Sequence, residues 1–185
     1  MHINYLPSIG YFQKILSDSN AKLHLADNYN RKSLRNRTYI LGANGRLLLS
    51  IPTTKLDNSN RAYESIEISY AENWQKQHWK SIESAYRRSP YFEFYEDYFS
   101  KFYQKQDYKL LWEYNYQLIL LIINILKLDV DLKLDTSETI SSINEYNLIK
   151  PCSYQQVFAN KLAFEENLSV IDLIFNKGPQ SKTYL

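Results

Sequence analysis

A chain of 185 residues with 44% hydrophobic and 15% aromatic side chains has the apolar material for one buried core, so a single domain over residues 1–185 is expected. Its net charge is only +2, with Lys and Arg dispersed among Asp and Glu, which argues against a basic nucleic-acid-binding surface. Four glycines and five prolines exclude long disordered linkers, and one cysteine, Cys152, excludes a disulfide framework or a thiolate metal site.

His2–Leu6 reads as a short strand stopped by Pro7. Ser8 then caps a helix through Leu16 with Ile9, Phe12, Ile15 and Leu16 inward. The start, Met-His-Ile-Asn-Tyr-Leu-Pro-Ser, has no basic region followed by an apolar one and is not read as a signal peptide. Lys22–Ala26 alternates as a second strand, and Asp27–Leu34 is polar and irregular. Arg37–Leu41 and Arg46–Ile51 are two strands joined by Gly42-Ala43-Asn44-Gly45, where Asn-Gly signals a hairpin. Pro52 ends the second strand, Thr53–Glu64 is a polar loop, and Ser65–Ile68 is a further short strand.

Three helices follow, over about 70–88, 90–104 and 108–127. Ser69 and Glu72 have capping-box spacing for the first, and Ser89-Pro90 ends it and opens the second. On the 70–88 helix, Ala71, Trp74, Gln75, His78, Trp79, Ile82, Ala85 and Tyr86 fall within roughly 140° of arc, with His78 in the middle. Such a histidine is either a core residue with a hydrogen-bond partner or a group facing a pocket. The 90–104 helix is aromatic on nearly every side, as a packed interface or a platform for a sugar ring. The 108–127 helix, with Leu110, Leu111, Tyr114, Leu118, Leu121, Ile122 and Ile125, is expected to be the most buried. Its longest apolar run, Leu118–Leu126, is broken by Asn124 and is too short to span a bilayer, so a cytoplasmic protein is expected.

Asp129–Leu134 alternates as a strand with Val130, Leu132 and Leu134 inward, and Asp135–Asn147 is a polar loop. Tyr154–Phe158 suits a short helix or strand. Leu168–Gly178 is a helix with Ser169 and Asp172 spaced as a capping pair and Gly178-Pro179 as its stop. The fold class expected is mixed α/β: a small sheet with an N-terminal strand–helix unit and a hairpin, covered by a three-helix segment.

Arg35 and Arg37 flank Asn36 at the start of a strand, so alternation sends both guanidiniums to one face. There they suit a phosphate or carboxylate, or ion pairing with Asp27. The Tyr5–Ser8 turn lies at a strand-to-helix junction, where a helix N-terminus offers N–H groups to an anion. His78 is the candidate general base. Asp172 is read as a helix-capping residue and Cys152 as an inert thiol. His2, His24 and His78 show no metal-ligand spacing.

Several of these segments, taken in order, resemble the WbqC-like protein family. They run from Tyr5-Leu6-Pro7-Ser8-Ile9-Gly10-Tyr11-Phe12 through Arg35-Asn36-Arg37, Gly42-Ala43-Asn44-Gly45 and Leu49-Ser50-Ile51-Pro52. They continue with Asn73-Trp74, His78-Trp79, Ala85-Tyr86 and Ser89-Pro90-Tyr91-Phe92, and end with Leu168-Ser169-Val170-Ile171-Asp172-Leu173 and Asn176-Lys177-Gly178-Pro179. The resemblance implies a role in surface-polysaccharide (O-antigen) biosynthesis, as a transferase of an amino acid such as glycine or of another activated group. A non-catalytic binding or scaffold protein of the same pathway is the alternative. It implies a nucleotide-linked or activated small-molecule donor, held by Tyr5, Ser8, Tyr11, Arg35, Asn36 and Arg37 with His78 as base, and it names no cofactor. Many relatives carry a glycine-containing segment before the C-terminal part, whereas residues 135–150 here contain no glycine.

Overall fold

The computed structural model describes residues 1–54, 62–136, 146–150 and 152–185. Ser8 caps helix α1 (Ile9–Ser17), its hydroxyl accepting the Tyr11 N–H, and Ile9, Phe12 and Ile15 are buried as their spacing requires. Gly10 is needed where the chain returns: a Cβ there would lie 2.6 Å from the Asn147 carbonyl oxygen.

The strands form two separate ladders. β1 (Lys22–His24) pairs in parallel with β4 (Lys133–Asp135), and His2 adds a single parallel bridge to His24. β2 (Arg37–Gly42) and β3 (Gly45–Ser50) form the expected antiparallel hairpin, Gly42 opposite Gly45. Gly45, at φ +104°, absorbs the left-handed step that closes the turn. His2–Leu6 is not otherwise a strand: beyond that bridge, Tyr5 and Leu6 bend away to pass beside β2. Ser65–Ile68 is likewise a 3-10 turn at Tyr63–Ser65 followed by isolated bridges from Glu67 to Leu110 and Ile68 to Thr53. Leu134, expected inward, is 40% exposed on the outer face of β4. Tyr154–Phe158 adopts neither helix nor strand, and most of the Asp135–Asn147 and Thr53–Glu64 loops lie outside the described residues.

Three helices follow in the expected order: α2 (Trp74–Tyr86), α3 (Phe92–Gln104) and α4 (Leu111–Leu126). α2 starts four residues later than expected. Ile68 donates to the Lys109 carbonyl and Ser69 to that of Pro52, so this stretch stays extended. Asn73 is the cap instead, its side chain accepting the Lys76 N–H. Ser89 does not cap α3; its hydroxyl returns to the Tyr86 carbonyl and closes α2. α4 is buried along Leu111, Tyr114, Leu118 and Ile122 and stops where Lys127 turns left-handed. α5 (Val170–Lys177) is sheathed on all sides and ends at Gly178, where a Cβ would strike the Tyr91 ring. Among the described residues no helix is long and apolar enough to cross a membrane.

With so little sheet, much irregular backbone is buried, and tyrosines satisfy it. The hydroxyls of Tyr11, Tyr63 and Tyr70 donate to the carbonyls of His2, Ile3 and Tyr108, and those of Tyr86 and Tyr146 accept the N–H groups of Leu41 and His2. Each such bond adds about 0.5–1.5 kcal/mol and avoids the larger cost of a buried orphan. Trp74, 2% exposed, is packed among Tyr70, His78, Tyr103 and Tyr114. Trp74→Ala is expected to lower stability in urea unfolding by about 3–5 kcal/mol. Phe94→Ala, at a ring that is 65% exposed, should change it by less than about 0.5 kcal/mol.

Candidate functional site

The Tyr5–Ser8 turn is pinned from two sides. The Leu6 carbonyl accepts two hydroxyls, from Thr38 at 2.8 Å and Ser169 at 2.9 Å, and Leu6 is held at φ +38°. Tyr5 N–H donates to the Leu34 carbonyl, and the Pro7 carbonyl accepts from Val170. A bulky residue at positive φ is strained by about 1–3 kcal/mol, and only such surrounding bonds hold it there. Ser169 is therefore not the side-chain cap of α5; its hydroxyl is committed to Leu6.

Beside this turn lies a cleft of about 40 Å³, lined by Leu6, Pro7, Ser8, Arg37, Arg46 and Asn167 among others. Arg37 has no ion pair or hydrogen bond among the described residues, and its Nε is buried without a partner. Arg46, across the ladder from Leu41, stacks over the Tyr39 ring and pairs with Glu165 at 3.1 Å in a half-exposed contact that solvent weakens. Asn167, at φ +52°, turns its side chain to Gly10 N–H and the Tyr146 carbonyl.

The α1 N-terminus itself is not open to an anion. Ile9 N–H is taken by the Leu168 carbonyl, Gly10 N–H by Asn167 and Tyr11 N–H by Ser8. The positive charge of the cleft comes from side chains.

Of the residues singled out in the sequence, Ser8, Arg37 and part of Tyr5 line the cleft. The others lie elsewhere. Arg35 is 4% exposed and points away from Arg37: its Nη2 donates to Asp27 at 2.7 Å, its Nη1 to the Asn28 carbonyl, and its guanidinium lies 4.6 Å over the Tyr63 ring. Arg35 precedes the ladder, so strand alternation does not carry it to the face of Arg37. His2 completes this cluster with Nδ1 3.0 Å from Asp27, and burial first, then Arg35, hold its pKa down to about 4. Tyr11 is fully buried, and Asn36 ties Ile51 across the hairpin through its side-chain amide.

His78 occupies a third place. It is 6% exposed, does not line the cleft, and accepts or donates at Nδ1 with the Tyr5 hydroxyl at 2.9 Å, which also meets Tyr103 at 2.8 Å. Burial depresses its pKa to about 4, opposed by a backbone hydrogen bond to Ser50. The neutral ring thus helps to seal the back wall of the turn through Tyr5.

Asp172 differs from its reading as a capping residue. Its side chain is fully buried, accepting from Tyr154 at 2.5 Å and Gln156 at 3.0 Å, and burial raises its pKa while those partners and Tyr86 oppose the rise. Burial likewise pushes the Cys152 thiol up to about 11, so it stays protonated at neutral pH. Among the described residues no group of His, Cys, Asp and Glu could hold a metal ion. Arg46 and Asn167 escaped the sequence reading, although pairing Gly42 with Gly45 already puts Arg46 opposite Leu41.

Two expectations test these placements. Arg35→Ala takes the guanidinium from a buried ion pair with Asp27 and should cost about 3–5 kcal/mol in urea unfolding, whereas Arg37→Ala should cost less than about 1 kcal/mol. For His78, the unfolded chain binds the proton first, because the folded pKa of about 4 lies below the ordinary 6.5. The stability from the neutral ring is complete above pH 6.5 and is lost as pH falls toward 4. His2 behaves in the same way, so His78→Gln should make the stability loss between about pH 6.5 and about pH 4 shallower without abolishing it.

Two comparisons with known proteins returned nothing: no curated protein and no solved structure matches the chain. A third did: the profile of the WbqC-like protein family matches residues 3–152. That span takes in the pinned turn, the hairpin with Arg37 and Arg46, and all three helices of the central segment, so the chain belongs to the WbqC-like protein family.

Proposed function

We propose that this protein serves surface-polysaccharide (O-antigen) biosynthesis, the role its family resemblance implies, by holding the anionic group of an activated donor in the Arg37 cleft. The observation that carries this reading is Arg37, a cation with no partner among the described residues whose Nε is buried against an open cleft. A half-buried guanidinium with an unpartnered Nε–H favours a carboxylate or phosphate that can take two of its N–H groups. A volume of about 40 Å³ suits that terminal group alone, so the remainder of a nucleotide-linked donor would project outward.

The geometry supports binding better than transfer through His78. None of the residues lining the cleft is His, Asp or Glu, and His78 reaches it only through the Tyr5 hydroxyl. The non-catalytic binding role is therefore the reading adopted; transfer of glycine or another activated group would need a base from the acceptor or from elsewhere.

The test is a thermal-shift and calorimetric series with inorganic phosphate, glycine, acetate and a nucleotide sugar. The wild type should bind at least one anion, and Arg37→Ala should bind it about tenfold or more weakly while keeping its melting temperature. Equal binding by Arg37→Ala would remove the cleft from the account. Turnover of an activated donor that stops on His78→Gln, with stability retained, would restore the transferase reading.

A further inference from the structure

Away from the cleft, three adjoining hollows of about 250, 410 and 330 Å³ run along the exposed side of α2. Ala43, Lys80 and Ser84 belong to both of the first two, and Arg88 and Val157 to both of the last two, so they form one continuous groove. It starts at the hairpin tip, beside Leu47, and ends at Asn176 and Lys177. From Lys80 to Arg88 alone α2 and its final turn cover about 12 Å, and the groove continues past both.

It carries a local excess of positive charge. Lys80, Arg87, Arg88 and Lys177 line it against one carboxylate, Glu83, which is already paired with Arg87, in a chain whose net charge is only +2. Lys80 and Arg88 are exposed and have no ionic or hydrogen-bond partner among the described residues. The spaces between the cations carry the exposed neutral hydrogen-bonding groups Ser84 and Gln155, while Ser81 and Asn176 spend their donors on the Gln77 and Asp172 carbonyls.

We propose that this groove binds an extended anionic glycan, an oligosaccharide bearing carboxylate or phosphate groups, with Lys80, Arg88 and Lys177 meeting its charges. Separated cations with hydroxyls and amides between them match a chain that alternates charge with many hydroxyls. Single-stranded nucleic acid would call for aromatic platforms, and Phe158 is the one aromatic ring lining these hollows. The central hollow does hold an apolar strip of Ala43, Ala85, Val157 and Phe158, on which the apolar face of a sugar ring can lie, while Lys80, Arg87 and Arg88 border it and Lys177 stands at the far end. The inference rests on the glycan-assembly reading above and adds to it a place for the acceptor, separate from the donor cleft.

The test uses a short polygalacturonate as probe, measured by calorimetry at low and raised salt. The wild type should bind it with an affinity that falls as salt rises. Lys80→Ala/Arg88→Ala/Lys177→Ala should bind about tenfold or more weakly at an unchanged melting temperature, while still binding inorganic phosphate as the wild type does. No binding by the wild type, an unaffected triple variant, or equal binding of a DNA oligonucleotide of similar charge would overturn the proposal. Because Arg37→Ala tests phosphate binding in the cleft and the triple variant tests polygalacturonate binding in the groove, an unaffected variant identifies which of the two readings has failed. Should the triple variant unfold, charge reversal at exposed Lys80 and Arg88 alone serves, with the same outcomes.

Discussion

One backbone carbonyl, that of Leu6, receives a hydroxyl from each side: Thr38 from the hairpin and Ser169 from the approach to α5. These residues are distant in sequence, and the bonds join the first turn of the chain, the β2–β3 ladder and the C-terminal helix at a single atom. The left-handed backbone at Leu6 depends on them, and so does the position of Ser8 at the head of α1. The Ser169 N–H donates to the Tyr39 carbonyl and Arg46 lies over the Tyr39 ring, so the wall of the cleft is tied to the same knot. A strained residue held by several bonds thus lies beside a cleft with an unpartnered arginine, and the proposed anion site rests on that juxtaposition.

Around this knot the protein solves a problem set by its scarcity of sheet. Two short ladders leave the N-terminal segment and the loops between helices with buried polar backbone. Tyrosine is suited to the task, since one side chain supplies apolar area and a hydroxyl that reaches a carbonyl. Asn115 does comparable work from α4, its amide meeting the Arg35 carbonyl at 2.6 Å and the Tyr63 hydroxyl at 3.0 Å. The Arg35–Asp27–His2 cluster is thereby enclosed by packing as well as by charge, and its role is to lock the N-terminal segment against the hairpin.

Local signals were legible in the sequence, and spatial ones were not. The Ser8 cap, the Gly42–Gly45 hairpin, the order of the three central helices and the Gly178 stop each depend on a few neighbouring residues, and each was found. The start of α2 was missed because Ser69 had a distant commitment, to Pro52, that its spacing from Glu72 does not reveal. The capping spacing of Asp172 misleads for the same reason: partners at Tyr154 and Gln156 draw its carboxylate inward. Arg35 and Arg37 differ by two positions, yet one lies before the ladder and is buried against Asp27, while the other lies in it and faces the cleft. The motifs of the family resemblance supply the turn and the hairpin that line the cleft. The resemblance could not divide the motif residues between those that shape the wall and the one whose charge is left over.

The central claim is that this leftover charge is Arg37. Arginine side-chain Nε–H signals, resolved by nitrogen-15 NMR and assigned by single Arg→Lys substitutions, measure it directly during a titration with phosphate or a carboxylate. A saturable shift is expected at Arg37, a smaller one at Arg46 as its pairing with Glu165 adjusts, and none at Arg35. A titration that leaves Arg37 unmoved, or that shifts Arg35 first, would contradict it.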